Sequence, residues 1–288
     1  MRILLGADGS EHGTAALRPA FRVLSSANRS VDVLCVAPRV HPRKSGLQGR
    51  LERHAARIAD RVVQLLAEDG VPAKGIVHAG SPTRALIGCS YNYDVVVISA
   101  QSHKGPSVAG LGPVASRLLE HANASVFLAR GRDAGSPAKI LIPVDGSDTG
   151  IRALEKLKDI VDLPGAEVTL LHVVETPWIR PVDDQEWIAT AEEPDQEPQS
   201  ELEKEFTEEA ETLLERAREQ LPAGTTVSTM IYHGIPAEEI LTEANSGAYD
   251  LLVLAATGER DLKHRILGSV SSKVAWNAPC SVLMIHSE

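Results

Sequence analysis

The chain of 288 residues is short of aromatic side chains, with three Trp, four Tyr and three Phe. A core must therefore be built from Ala, Val, Leu and Ile. Cysteine is scarce too: Cys35, Cys89 and Cys280 are dispersed. That excludes a disulfide framework and a thiolate metal site, and fits a reducing compartment. No apolar run approaches the ~20 residues needed to cross a membrane. The apolar start, Met1-Arg2-Ile3-Leu4-Leu5, runs straight into Gly6-Ala7-Asp8. It is too short for a secretory leader and reads as a first strand. Together these features predict a cytoplasmic protein.

Catalytic signatures are missing as well. There is no Gly-x-Ser-x-Gly elbow, no His-Glu-x-x-His and no Gly-x-x-x-x-Gly-Lys-Ser/Thr loop. The ten histidines are scattered, and His172 and His233 fall at predicted strand ends, where packed or surface histidines are common. Nothing marks a nucleophile or a general base. The net charge of −10 makes nucleic acid a poor partner.

What the chain does contain is one internal repeat. Arg2-Ile-Leu-Leu-Gly-Ala-Asp8-Gly-Ser10 returns as Lys139-Ile-Leu-Ile-Pro-Val-Asp145-Gly-Ser147. Val33–Val36 returns as Leu170–Val173, Gly80-Ser-Pro82 as Gly234-Ile-Pro236, Tyr93–Ile98 as Tyr249–Leu254, and Gly112-Pro-Val114 as Gly268-Ser-Val270. The order is the same throughout, and the loop-rich stretch Gly131–Pro137 separates the halves. This predicts two domains, residues 1–132 and 138–288. The halves differ in charge, +7 over residues 1–136 against −17 over residues 137–288.

Each half reads as strands alternating with helices. Strands are expected at Ile3–Ala7, Val31–Ala37 and Ala73–His78, and again at Ile140–Val144, Glu167–Val174 and Thr226–Tyr232. Helices are expected at about Ser10–Ser25 and Leu51–Leu66, and at Asp148–Ile160 and Glu201–Leu221. Leu51, Ala55, Ile58, Val62 and Leu65 form one helical stripe; Leu202, Phe206, Leu213, Ala217 and Leu221 form the other, and both read as plain core. Continuous apolar strands joined by helices imply an α/β fold: two tandem five-stranded parallel sheets covered by helices on both faces. Such sheets bind ligands at the carboxyl ends of their strands, where the strand order reverses.

The stretch Asp250–Ile285 carries the most chemistry. An apolar strand, Leu251–Ala255, feeds a charged loop, Gly258–Arg265. Gly268-Ser269-Val270-Ser271 then opens a helix, and Ser281–Ile285 closes as a strand. A helix N-terminus presents free N–H groups and a positive dipole end, which suit a phosphate. Ser269 and Ser271 offer hydroxyl donors, although Gly-Ser before a helix is also ordinary capping. Arg260, Lys263 and Arg265 could pair with phosphates, whereas Glu259 and Asp261 would need a divalent ion between.

Gly258, nine intervening residues and then Gly268-Ser269 resemble the nucleotide motif of the universal stress protein family, Gly-two-Gly-nine-Gly-Ser/Thr. Ala255 stands where that family has its first glycine. The whole chain resembles two such domains in tandem. The resemblance implies ATP, with a divalent ion such as Mg, held at the strand ends of the second half. It places Pro143, Val144, Asp145 and Val173 near the adenosine and Ala255, Gly258, Gly268, Ser269, Val270 and Ser271 at the phosphates. In the first half the corresponding positions are Ser99, Ser102, Gly112 and Pro113. Proline removes an N–H and a hydroxyl at the phosphate turn. That half should fold alike and bind nucleotide poorly.

The segment 175–200, rich in Asp, Glu and Pro, is expected to be a mobile acidic insert. It serves either as a solvated loop or as a docking arm for a partner or for the basic first half. The last strands, Ser125–Ala129 and Val282–His286, would be open edges unless paired, and family dimers pair there. An intramolecular pseudo-dimer is expected, as a monomer or homodimer. The function implied is regulatory: a stress-response protein that binds adenine nucleotide and acts through protein partners. The alternatives are an interaction protein with both sites decayed and a slow ATPase.

Overall fold

The computed structural model describes residues 1–17, 19–41, 45–100, 110–130, 138–175, 196–247, 249–256 and 267–286. In the first half, strands β1 (Arg2–Ala7), β2 (Ser30–Ala37), β3 (Ala73–Ala79), β4 (Val95–Ser99) and β5 (Ser125–Ala129) alternate with helices α1 (Glu11–Leu17), α2 (Ala20–Val23), α3 (Ser45–Glu68), α4 (Pro82–Ser90) and α5 (Pro113–His121). The second half repeats the plan: β6 (Lys139–Pro143), α6 (Asp148–Ile160), β7 (Glu167–Val174), α7 (Gln196–Glu219), β8 (Thr226–His233), α8 (Pro236–Ser246), β9 (Leu251–Ala255), α9 (Ser269–Asn277) and β10 (Ser281–Ile285).

All ten strands form one sheet in the order β3-β2-β1-β4-β5-β10-β9-β6-β7-β8. Each half is parallel, and the halves meet through the antiparallel pair β5–β10, with Val282 opposite Leu128 and Met284 opposite Val126. The expected pairing of the last strands is therefore present. It joins the two five-stranded parallel sheets into one ten-stranded sheet. A second junction joins Leu24 to Val161 as an antiparallel bridge. There Ser25 N–H donates to the Ile160 carbonyl (2.8 Å) and Asp162 N–H to that of Val23 (3.0 Å). The two halves are thus related by an approximate two-fold axis normal to the sheet, and their carboxyl strand ends point in opposite directions.

Apolar strands with period-2 side chains feed two cores at once. Ile3, Leu5, Val95, Val97, Leu251 and Val253 enter the core beneath α1, α2, α3, α6 and α7. Leu4, Val96, Ile98, Leu252 and Leu254 enter the core beneath α4, α5, α8 and α9. Both cores run across the junction, through Phe127 and Leu283 on one face and Val126 and Met284 on the other. With so few aromatics, stability rests on many aliphatic side chains, each worth about 1.5–3 kcal/mol when fully buried.

Three elements differ from expectation. The helix expected at Ser10–Ser25 is split into α1 and α2, with Pro19 at the break, because proline cannot continue a hydrogen-bonded helix interior. Helix α7 starts at Gln196, inside the segment expected to be mobile, so Pro198 falls in its first turn. The amide that proline lacks has no helical partner there in any case. Residues 176–195, the rest of the insert, lie outside the described residues. Finally, the faces most deeply buried are Ala55, Ala59, Val62 and Leu66 on α3 and Ala210, Leu214 and Ala217 on α7. Leu65, Phe206 and Leu213 of the expected stripes are only half-buried.

Candidate functional site

In the second half the strand order reverses between β6 and β9, since β7 and β8 lie on one side and β10 on the other. The carboxyl ends of these strands open into a cavity of about 640 Å³, within the ~300–1,000 Å³ usual for small-molecule sites.

Three chain segments shape it. The first is the turn after β6. Gly146 there adopts φ +77 and faces Leu213 of α7 so closely that any Cβ would collide with it. The turn lets Asp145 fold back: its Oδ1 accepts from the Ser147 N–H at 3.0 Å and the Ser147 hydroxyl at 2.7 Å. The Ser147 Oγ in turn accepts from the Gly150 N–H at 3.0 Å, capping α6. A Cβ at Gly150 would sit 3.0 Å from the Asp145 carboxylate, a tight contact that glycine avoids. One carboxylate oxygen is thereby locked, and Oδ2 is left for a ligand.

The second segment is the end of β7, with Val173, Val174 and Glu175 along the cavity. Beside them, Nδ1 of His172 lies 2.8 Å from the Val144 carbonyl oxygen. A carbonyl can only accept, so Nδ1 is the donor in this contact.

The third is the start of α9. Gly268 is its N-cap, with no side-chain cap, and the first helical bond runs from Ser272 N–H to the Gly268 carbonyl (2.9 Å). The N–H groups of Ser269, Val270 and Ser271 thus have no partner within the helix. The hydroxyl of Ser271 is not a free donor, contrary to expectation: it donates to the Ala255 carbonyl at 3.0 Å, tying the helix start to the end of β9. Among the described residues, nothing pairs with the Ser269 N–H or hydroxyl.

Nine of the ten residues singled out from sequence line this one cavity: Pro143, Val144, Asp145, Val173, Ala255, Gly268, Ser269, Val270 and Ser271. Gly258 lies outside the described residues, as do Arg260, Lys263 and Arg265. The sequence reading missed the far wall. Phe206, Glu209 and Leu213 of α7 and Ile240 of α8 also line the cavity. Phe206 and Leu213 had been read as core; the signal was a second, rotated apolar stripe on α7, which periodicity alone could not separate from the buried one. The titratable side chains among the described lining residues are Asp145, His172, Glu175 and Glu209, with no lysine or arginine.

The first half repeats the turn. Asp8 Oδ1 accepts from the Ser10 N–H (2.9 Å) and hydroxyl (2.8 Å), and Ser10 Oγ accepts from the Gly13 N–H (2.9 Å). Its helix α5 has Gly112 as N-cap, but Pro113 as first residue and buried Ala115 where the second half has Ser269 and Ser271.

The described residues hold no cluster of three or more His, Cys, Asp or Glu side chains able to bind a metal. No described helix is long and apolar enough to cross a membrane.

Comparison with known proteins identifies the family. The profile of the universal stress protein family matches residues 1–130 and again 138–286. A universal stress protein of Methanocaldococcus jannaschii is 34% identical over 148 residues, covering 51% of this chain and 81% of its own. One from Mycolicibacterium smegmatis is 28% identical over 301 residues, covering 99% of this chain and 96% of its own. The crystal structure of a universal stress protein from Archaeoglobus fulgidus superposes with a TM-score of 0.69 at 21% identity, over 100% of this chain and 98% of that one, and shows the shared fold. The chain belongs to the universal stress protein family and carries two of its domains in tandem.

Proposed function

We propose that the second half binds one ATP per chain and that occupancy regulates contacts with protein partners. The observation that carries this reading is the convergence of four separate stretches, 143–145, 173, 255 and 268–271, on one cavity at the strand-order reversal. Adenosine fits the apolar end between β6 and β7, with the Asp145 Oδ2 available to a ribose hydroxyl or adenine amine. The polyphosphate fits the unpaired N–H groups of Ser269–Ser271 and the Ser269 hydroxyl. The three carboxylates among the lining residues, Asp145, Glu175 and Glu209, favour neutralisation of the triphosphate by a divalent ion. With no ready-made cluster of ligands among the described residues, Mg²⁺ would be held mainly by the phosphates, as is usual for that ion. The role it would supply is charge compensation.

The test is to denature the protein as purified, identify released small molecules by mass spectrometry, and titrate ATP by calorimetry. One adenine nucleotide per chain is expected. No co-purified nucleotide and no heat with millimolar ATP would overturn the reading and leave an interaction protein with two decayed sites. Phosphate release during long incubation would separate a binding protein from a slow ATPase.

A further inference from the structure

The helix that opens onto the cavity is held at its other end by the opposite half of the molecule. The β5–β10 register, with Val282 opposite Leu128, carries Arg130 to a place opposite Cys280, beside the turn that follows α9. Arg130 uses that position fully. Its N–H donates to the Ser281 hydroxyl at 3.1 Å. Its guanidinium donates to the Cys280 carbonyl at 3.2 Å and to the Ala275 carbonyl, in the last turn of α9, at 2.8 Å. The last carbonyls of a helix lack helical partners and form the negative end of its dipole. A cation that fills them from across the junction fixes both the axial position and the tilt of α9. The first half touches α9 a second time: Gly110, at φ +121, lies against the ring of Trp276, where a Cβ would come within 3.4 Å.

The arrangement is two-fold in the backbone and one-sided in chemistry. The Arg130 N–H bond to Ser281 is mirrored by the His286 N–H bond to Ser125 (3.4 Å). The permanently charged, forked side chain is thus supplied by the half whose own phosphate turn carries Pro113. It goes to the helix that begins Gly268-Ser269. A fixed guanidinium can reach two carbonyls at once, which an imidazole or an ammonium cannot do in the same geometry.

We propose that Arg130 is a positioning residue for the phosphate end of the second-half site, so that this site depends on the first domain. This rests on the nucleotide reading above. Arg130 touches no part of the cavity; it acts through α9. A nine-residue helix is about 14 Å long, so a small tilt at Ala275 moves the N–H groups at Ser269 by a comparable amount, and phosphate contacts are sensitive to such shifts.

The test compares full-length wild type with Arg130→Met and Arg130→Lys, titrating ATP and adenosine by calorimetry and following α9 by hydrogen exchange. ATP affinity should fall roughly three- to tenfold in Arg130→Met, the scale of a partly buried charge at a helix terminus, and by less in Arg130→Lys. Adenosine affinity should stay the same, because its end of the cavity is built on β6 and β7. Exchange should quicken in residues 269–277 and remain unchanged in residues 113–121. Equal losses of ATP and adenosine would show a merely structural role, and an unchanged ATP affinity would overturn the proposal. Wild type that binds neither ligand would sink the nucleotide reading alone. The exchange data would then still decide the coupling, since unaltered exchange in α9 refutes it. Should Arg130→Met fail to fold, Arg130→Lys keeps the charge, loses the fork and carries the same comparison.

Discussion

The two carboxyl strand ends of this molecule are the same backbone with different donors. Asp8-Gly9-Ser10 and Asp145-Gly146-Ser147 fold into superimposable turns, with the same two bonds to the aspartate and the same serine cap. Gly9 and Gly146 both adopt positive φ, at 78 and 77, each beneath an aliphatic side chain of the long helix, Ile58 or Leu213. The difference lies at the other wall, where α9 begins with Ser269 and α5 with Pro113. Proline suits the first position of a helix, so the change leaves the fold intact while deleting donors. A repeat can lose chemistry at one residue without losing structure, because the N-terminal amides of a helix are spare for folding and not for ligand binding.

The sharpest way to break the comparison is to make the halves alike. Ser269→Pro should preserve the melting temperature and weaken ATP binding by a hundredfold or more. It removes two donors to a charged group, each worth about 1.5–3 kcal/mol. Pro113→Ser should leave binding unchanged. Calorimetry on both variants checks this, and undiminished affinity in Ser269→Pro would refute the phosphate assignment.

The next largest effect concerns the shared core. Phe127, 1% exposed on β5, belongs to the cluster that spans both halves. Phe127→Ala should cost about 3–5 kcal/mol, and both halves should still melt together. Urea unfolding followed by circular dichroism and by tryptophan fluorescence would show it. Two separated transitions would mean that the junction does not couple the halves.

Smaller again is the glycine under each long helix. Gly146→Ala and Gly9→Ala should each cost about 1–2 kcal/mol for the left-handed backbone. Only Gly146→Ala should also weaken ATP, because it displaces Leu213 from the cavity wall. Equal effects on binding from both variants would contradict a single site.

The smallest effect is on pH. The equivalent tyrosines Tyr93 and Tyr249 are both raised by burial first and by a carboxylate second. Tyr93 donates to Asp32 at 2.6 Å and Tyr249 to Glu243 at 2.7 Å. Tyr249 is pushed up to about 12 from 10.0. Folding prefers the neutral phenol, so its contribution is complete below pH 10 and is lost as pH rises through the folded value. Tyr249→Phe should flatten part of the decline in stability between pH 10 and 12, measured by urea unfolding; an unaltered profile would mean that Tyr249 titrates alike in both states.

Much of this was legible from the chain alone, for local reasons. Runs such as Val95–Ile98 and Leu251–Leu254, short, rich in Val, Leu and Ile and bounded by turn residues, read as strands buried on both faces. Asp-Gly-Ser before a helix builds its own turn and cap from neighbouring residues, and the difference between Ser269 and Pro113 is a matter of one amide. What tertiary structure decided is of longer range. Periodicity could not tell which of two overlapping stripes on α7 faces the sheet and which, with Phe206 and Leu213, walls the cavity. Nor could the sequence show that the Ser271 hydroxyl is spent on Ala255. That Arg130 caps a helix 145 residues further along follows only from the antiparallel register of β5 and β10. Such contacts depend on where two distant backbones meet, and hydrogen bonds between them leave no pattern in either stretch of sequence.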